Sequence, residues 1–197
     1  MVTEQLKGWF IMIKFFKENG GIIWKIALTQ IGMMVFGLIV VLSTAMINKI
    51  LCHIAGALSI VMYLFVLYSH LIEKGNEDKI KIDGGRMKRK NFYGLFVYLA
   101  SQCVNIFVSL VTLVTYFFTN AEVETGVNKL HAAFKLITHY YNAVYLSITQ
   151  LLLDFPAIYL LLIIPGAIVC FLSYFAGIRG IKHFMPESRK IRNERTR

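Results

Sequence analysis

Four long apolar runs separated by short polar segments set the pattern of this chain: residues 22–47, 51–72, 92–118 and 156–177. At 1.5 Å per residue, ~20 apolar residues cross the ~30 Å hydrocarbon layer, so each run is long enough to span a bilayer. The first holds only Lys25 near its start and Gln30 inside, and Trp24 beside Lys25 suits an interface. Asn48-Lys49 leaves so short a turn that the first two spans are expected to be antiparallel neighbours. Aromatic residues flank the third run, Phe92-Tyr93 at one end and Tyr116-Phe117-Phe118 at the other, as interfacial belts do. Pro156 suits the first turn of the fourth helix, and Pro165 inside it predicts a kink.

The segments between these runs carry patterns of their own. Leu6, Trp9, Phe10, Ile13 and Phe16 recur at helical spacing, with Glu4, Lys7, Lys14 and Glu18 opposite and Ile11 the exception. This predicts an amphipathic helix over 1–21 lying in the headgroup plane and ended by Gly20-Gly21, with a helix packed on a soluble partner as the alternative. Charges interrupt its apolar positions and no small-residue cleavage site follows, so it is not expected to be a secretory signal. In the polar loop 73–91, the alternation Lys79-Ile80-Lys81-Ile82 followed by Asp83-Gly84-Gly85 permits a small hairpin. The segment 119–155 opens on a mildly acidic stretch. Within it, residues 130–153 are long enough to span but carry a polar stripe through His131, Lys135, Thr138 or His139, Asn142, then Thr149 or Gln150. A lysine at the bilayer centre costs about 2.5–3.5 kcal/mol on insertion scales, which makes this a poor lipid-facing span.

Charge decides how many runs cross. The loop 73–91 holds seven basic residues against four acidic, the tail 179–197 seven against two, and the N-terminal segment through Lys25 four against two. Cytoplasmic segments collect Lys and Arg. Four spans put all three segments on that side, whereas a fifth at 130–153 would move the tail across. The expected fold is therefore an all-α integral membrane bundle: four transmembrane helices, an N-terminal interfacial amphipathic helix, and an outer amphipathic or partly re-entrant segment. Both termini are expected in the cytoplasm.

Composition agrees and narrows function. With 57% hydrophobic and 16% charged residues among 197, the chain lacks the charge to cover a soluble domain's surface. The net charge of +10 is confined to the segments between apolar runs, a distribution that orients a chain and meets anionic headgroups instead of marking a nucleic-acid binder. Three cysteines, Cys52, Cys103 and Cys170, lie in different spans and read as packing residues. The sequence contains no Gly-x-Ser-x-Gly elbow, His-Glu-x-x-His pair, phosphate-binding Gly-x-x-x-x-Gly-Lys loop or Cys-x-x-Cys. No expected span holds an interior carboxylate, and the loop acids read as solvated surface charge. No enzyme, cofactor or metal site is expected.

Two sets of residues remain as candidates. Gln30, Gln102, Asn105, His131, His139 and Asn142 are polar positions within or beside apolar helices and form a candidate polar path. Gln102 and Asn105 share a face, explicable by interhelical hydrogen bonds alone. His131 and His139 share a face with Lys135 between them, which disfavours a metal. Arg86, Lys88, Arg89, Lys90, Arg179 and Lys182 are candidate headgroup or partner contacts. Asp83-Gly84-Gly85-Arg86 offers backbone N–H groups and a guanidinium to a phosphate, or is a tight turn. Ser173 with Gly177 and Ala55 with Ser59 are small-residue pairs suited to close helix packing.

The stretches Phe15-Phe16-Lys17-Glu18-Asn19-Gly20, Gln30-Ile31-Gly32-Met33-Met34-Val35-Phe36-Gly37-Leu38 and Ile82-Asp83-Gly84-Gly85-Arg86-Met87-Lys88 resemble a group of small multi-pass membrane proteins of clostridia, low-GC Gram-positive bacteria. The resemblance covers the N-terminal half best. It implies a bacterial plasma membrane and brings no activity or functional residue with it. The function expected from the residues is a non-enzymatic membrane component whose basic inner face binds anionic lipid or a protein partner. The alternative is a small homo-oligomeric transporter or channel.

Overall fold

The structure, a computed structural model, describes residues 2–119, 126–149 and 155–180, and side chains from residue 15 onward. The tail after Gly180, with Lys182, lies outside the described residues, as do 120–125 of the acidic stretch and the side chains of the first fourteen positions. Every regular element among the described residues is helical. Three helices are long and apolar enough to cross a membrane: Phe15–Ala45, Lys49–Asp83 and Ala157–Arg179.

Helix α1 (Val2–Ala45) runs without interruption through Gly20-Gly21, where the sequence predicts a break. A glycine costs a helix only about 1 kcal/mol relative to alanine. Both flanks of the pair are held by packing, with Phe15 and Ile22 against the core and Ile23 and Ile26 inside it. After Asn48, whose side chain accepts from Ile50 N–H at 2.9 Å, α2 (Lys49–Asp83) continues eleven residues beyond the expected span. The hairpin permitted by the 79–82 alternation is absent, because these residues belong to the last turns of α2. The helix ends in a Schellman cap, with Arg86 N–H on Lys81 O at 2.9 Å, Gly85 N–H on Ile82 O at 3.0 Å, and Gly85 at φ +70°. Those N–H groups already serve helix carbonyls, so the phosphate cradle considered for 83–86 is not formed.

The third run is two helices, α3 (Tyr93–Ser101) and α4 (Cys103–Phe117), bent by 61° at Gln102. Neither Pro nor Gly marks this joint. α5 (Gly126–Tyr141) folds back antiparallel along α4, and a 3₁₀ turn (Ala143–Tyr145) leads into the short α6 (Leu146–Thr149). Residues 142–147 are all buried. They wedge between α1 and α2 where Gly37 and Gly56 have no side chains: a Cβ on Gly37 would lie 2.8 Å from Ala143 O and 2.9 Å from Val144 Cα. Of the segment expected to be outer amphipathic or partly re-entrant, residues 142–147 are thus packed among the helices, while α5 is mostly exposed. α7 (Ala157–Leu161) and α8 (Ile163–Arg179) follow with one interrupting residue, Leu162, in the turn before Pro165. Pro165 has no N–H for the carbonyl four residues earlier, which accounts for the interruption. α8 crosses α2 closely, since a Cβ on Gly75 would stand 2.7 Å from Tyr174 O and 2.9 Å from Gly177 Cα.

Candidate functional site

Two polar constellations are built into this fold, one at mid-length and one at the end carrying Asn19, Asp78, Tyr93 and Arg179, called here the basic end. The first gathers four of the six expected polar-path residues. Tyr63 Oη donates to Gln30 Oε1, and Gln102 Nε2 reaches the same oxygen at 3.3 Å. Asn105 and Asn142 exchange reciprocal bonds of 3.2 and 3.0 Å, and Asn105 Nδ2 also lies 3.2 Å from Gln102 Oε1. Backbone carbonyls complete the set, Tyr141 O accepting from Gln30 Nε2 at 3.2 Å and Thr138 O from Asn142 Nδ2 at 3.0 Å. All four amide side chains are buried.

Further along α4, the seam to α5 continues through Thr112 and Thr138, 2.8 Å apart, and Thr115 and His131, 3.0 Å apart. His131 therefore ends the seam. His139 stands apart from it, 3.2 Å from Tyr159 Oη, so the two histidines do not converge. No group of three or more His, Cys, Asp or Glu capable of holding a metal exists among the described residues. His53 and His70 bind neighbouring elements, at 3.0 Å from Ser147 O and 3.2 Å from Thr29 Oγ1. The hydroxyls of Tyr145 and Ser147, in and beside the inserted turn, are buried without a hydrogen-bond partner among the described residues.

What can this cluster do? Amides are neutral donor–acceptor groups, and here each faces another. Closed in this way, the cluster pins the bent α3–α4 joint and the inserted turn to α1 and α2, since an unsatisfied buried amide costs about 1–3 kcal/mol. Tyr63, Ser109 and Thr112 were not among the expected residues, and Thr138 was expected only on the polar stripe, as the alternative to His139. For α4 a signal existed: Asn105, Ser109 and Thr112 recur at helical spacing within one apolar run.

The basic end is charged. Asp78, one of the acids expected to be solvated, is 1% exposed. Its Oδ1 meets Lys74 Nζ at 2.9 Å and Lys81 Nζ at 3.5 Å, and its Oδ2 accepts from Tyr174 Oη at 3.2 Å. Burial follows from the extension of α2 and its glycine crossing with α8, which bring a loop residue against a transmembrane helix. Beside it Tyr93 Oη donates to Asn19 Oδ1 at 2.6 Å, and the Tyr93 and Tyr174 rings lie 4.7 Å apart. A cleft of about 280 Å³ opens here, lined by Glu18, Asn19, Lys74, Asp78, Lys81, Met87, Lys90 and Tyr93.

The expected headgroup residues divide. Lys90 lines the cleft. Arg89 and Arg179 both lie over the Phe175 ring, 5.6 and 4.2 Å from its centroid, although 90 positions separate them in sequence. Arg86 and Lys88 are exposed on the connection between α2 and α3. No family model, no curated protein and no solved structure matches this chain.

Proposed function

We propose that the chain is a non-enzymatic multi-pass component of a bacterial plasma membrane, with four spans and both termini cytoplasmic, that engages anionic lipid headgroups through its basic end. Its spans are α1, α2, the bent α3–α4 pair and α7–α8, with α5 and the inserted turn entering from the opposite side. The observation that carries the reading is the seating of Arg89 and Arg179 on Phe175. Exposed cation–π contacts of this kind are worth about 0.5–1 kcal/mol, enough to bias two guanidiniums towards one place at the end of a span. Each Lys or Arg near an anionic surface adds about 1 kcal/mol of attraction, which falls off within a Debye length. The clostridial resemblance agrees with this location.

The test is quenching of tryptophan fluorescence by brominated lipids in reconstituted full-length protein carrying Trp9→Phe, which leaves Trp24, 63% exposed, as the reporter. Brominated phosphatidylglycerol is expected to quench more strongly than brominated phosphatidylcholine. The preference should fall with salt and in the double variant Arg89→Gln/Arg179→Gln. Equal quenching by the two lipids would refute the reading.

The alternative, a self-associating transporter or channel, draws on the amide cluster and its broken helix, features that line solute sites in transporters. Reciprocal bonding among Gln30, Gln102, Asn105 and Asn142 weighs against it. Solute flux in proteoliposomes, abolished by Asn105→Leu, would reinstate it.

A further inference from the structure

The cleft at the basic end differs from a diffuse basic surface in having a shape, a buried charge and an arrangement. Its lining contributes three ammonium groups, Lys74, Lys81 and Lys90, against the two carboxylates of Asp78 and Glu18. Asp78 is occupied on both oxygens, by two lysines on one and the Tyr174 hydroxyl on the other, so it is not available as a ligand for a cation. It acts instead as a fixed internal counter-charge that draws Lys74 and Lys81 together at the cleft wall. Each ammonium has three donors. Lys74 meets Asp78 Oδ1 at 2.9 Å and lies 3.9 Å from Glu77 Oε2, a looser ion pair, and the Lys81 contact at 3.5 Å is long. Lys90 takes part in no ion pair among the described residues.

The neutral part of the lining is also organised. Tyr93 and Asn19 are fixed by their 2.6 Å bond, and Asn19 Nδ2 is tied back to Phe15 O at 2.9 Å, so α1 and α3 hold one wall of the cleft in register. At about 280 Å³ the cleft lies just below the ~300–1,000 Å³ of sites for drug-sized ligands. That volume admits a phosphate with a short polar arm and excludes a nucleotide.

We propose that this cleft is a saturable binding site for a single phosphate group, with Lys90, Lys74 and Lys81 as its cationic partners and Asp78 as the residue that positions the last two. The proposal rests on the preceding reading only in that this end meets phosphate-bearing molecules; it concerns a discrete site, not the guanidinium pair on Phe175. The phosphate can belong to a lipid headgroup or be free in solution.

Native mass spectrometry of the full chain in neutral detergent separates these cases, with dioctanoyl phosphatidylglycerol, dioctanoyl phosphatidylcholine and inorganic phosphate as probes. One phosphatidylglycerol is expected to bind each chain saturably. Displacement by inorganic phosphate at comparable concentration would identify free phosphate as the source, and resistance to it would identify the headgroup. Lys90→Gln, a change at an exposed position, should weaken binding about tenfold or more, as loss of a charge-assisted bond does. Asp78→Asn gives a test of sign. It removes a negative charge, so a merely electrostatic patch would bind phosphate more tightly, whereas loss of the positioned lysines weakens binding. Arg89→Gln/Arg179→Gln should leave the one-to-one complex intact while lowering the bulk lipid preference. Binding without saturation, wild-type affinity in Lys90→Gln, or tighter binding in Asp78→Asn would overturn the proposal.

Discussion

The amide cluster at mid-length and the charged cluster at the basic end use buried polar groups in opposite ways. Around Gln102, neutral side chains face one another and leave nothing over. Around Asp78, two lysines converge on one carboxylate oxygen, Lys74 also lies 3.9 Å from Glu77 Oε2, and a cleft lined by a third lysine stands open beside them. The first arrangement stabilises a bend and an insertion, while the second leaves donors for something outside the chain. Burial of polar residues in an apolar bundle is therefore a weak sign of function until their partners are counted.

The comparison can be broken by changing either member. The largest effect is expected from Gly37→Val, which puts a side chain into the backbone of the inserted turn. Overpacking costs about 1–3 kcal/mol in well-packed interiors, and the backbone at 2.8 Å has little room to yield, so the upper end or loss of the folded state is expected by thermal unfolding in detergent. Next, Asn142→Leu should cost about 2 kcal/mol by stranding Asn105. The double variant Asn105→Leu/Asn142→Leu should recover part of that loss, giving a coupling energy within the ~0.6–1.7 kcal/mol seen for interhelical bonds in membranes. Additive losses would mean the pair is not a unit. Gly85→Ala, at φ +70°, is expected to cost about 1 kcal/mol and to show as faster amide exchange in the last turn of α2. The smallest effect belongs to Tyr174→Phe, about 0.5–1 kcal/mol, because Asp78 keeps both lysines. A larger loss there would make the hydroxyl more important to the charged cluster than its geometry implies.

The apolar runs were legible because length and hydropathy are local properties, and three of them appear as helices able to cross a membrane. Gln102, Asn105 and Asn142 could be named in advance for the same reason: a polar side chain in an apolar helix needs a partner. Their meeting could not be read, because it depends on a bend at Gln102 that no Pro or Gly announces and on an inserted turn admitted by Gly37 and Gly56. Gly20-Gly21 misled in the other direction, its local cost being smaller than the packing of Ile23 and Ile26. Asp78 was hidden for a third reason. It lies in a sequence segment that looks like a solvated loop, and only the crossing of Gly75 on Gly177, about a hundred residues later, buries it.

Helix α2, at 35 residues, is about 52 Å long, well beyond the ~30 Å hydrocarbon layer. A helix of that length crossing a thicker or thinner bilayer meets the lipid with more or less of the same rod. The α3 and α4 segments, at nine and 15 residues, are about 13 and 22 Å long, and neither crosses alone. In the proposed four-span arrangement, hydrophobic mismatch falls on the angle at Gln102, making that joint, and with it the seating of the inserted turn, the part of the molecule most responsive to membrane thickness.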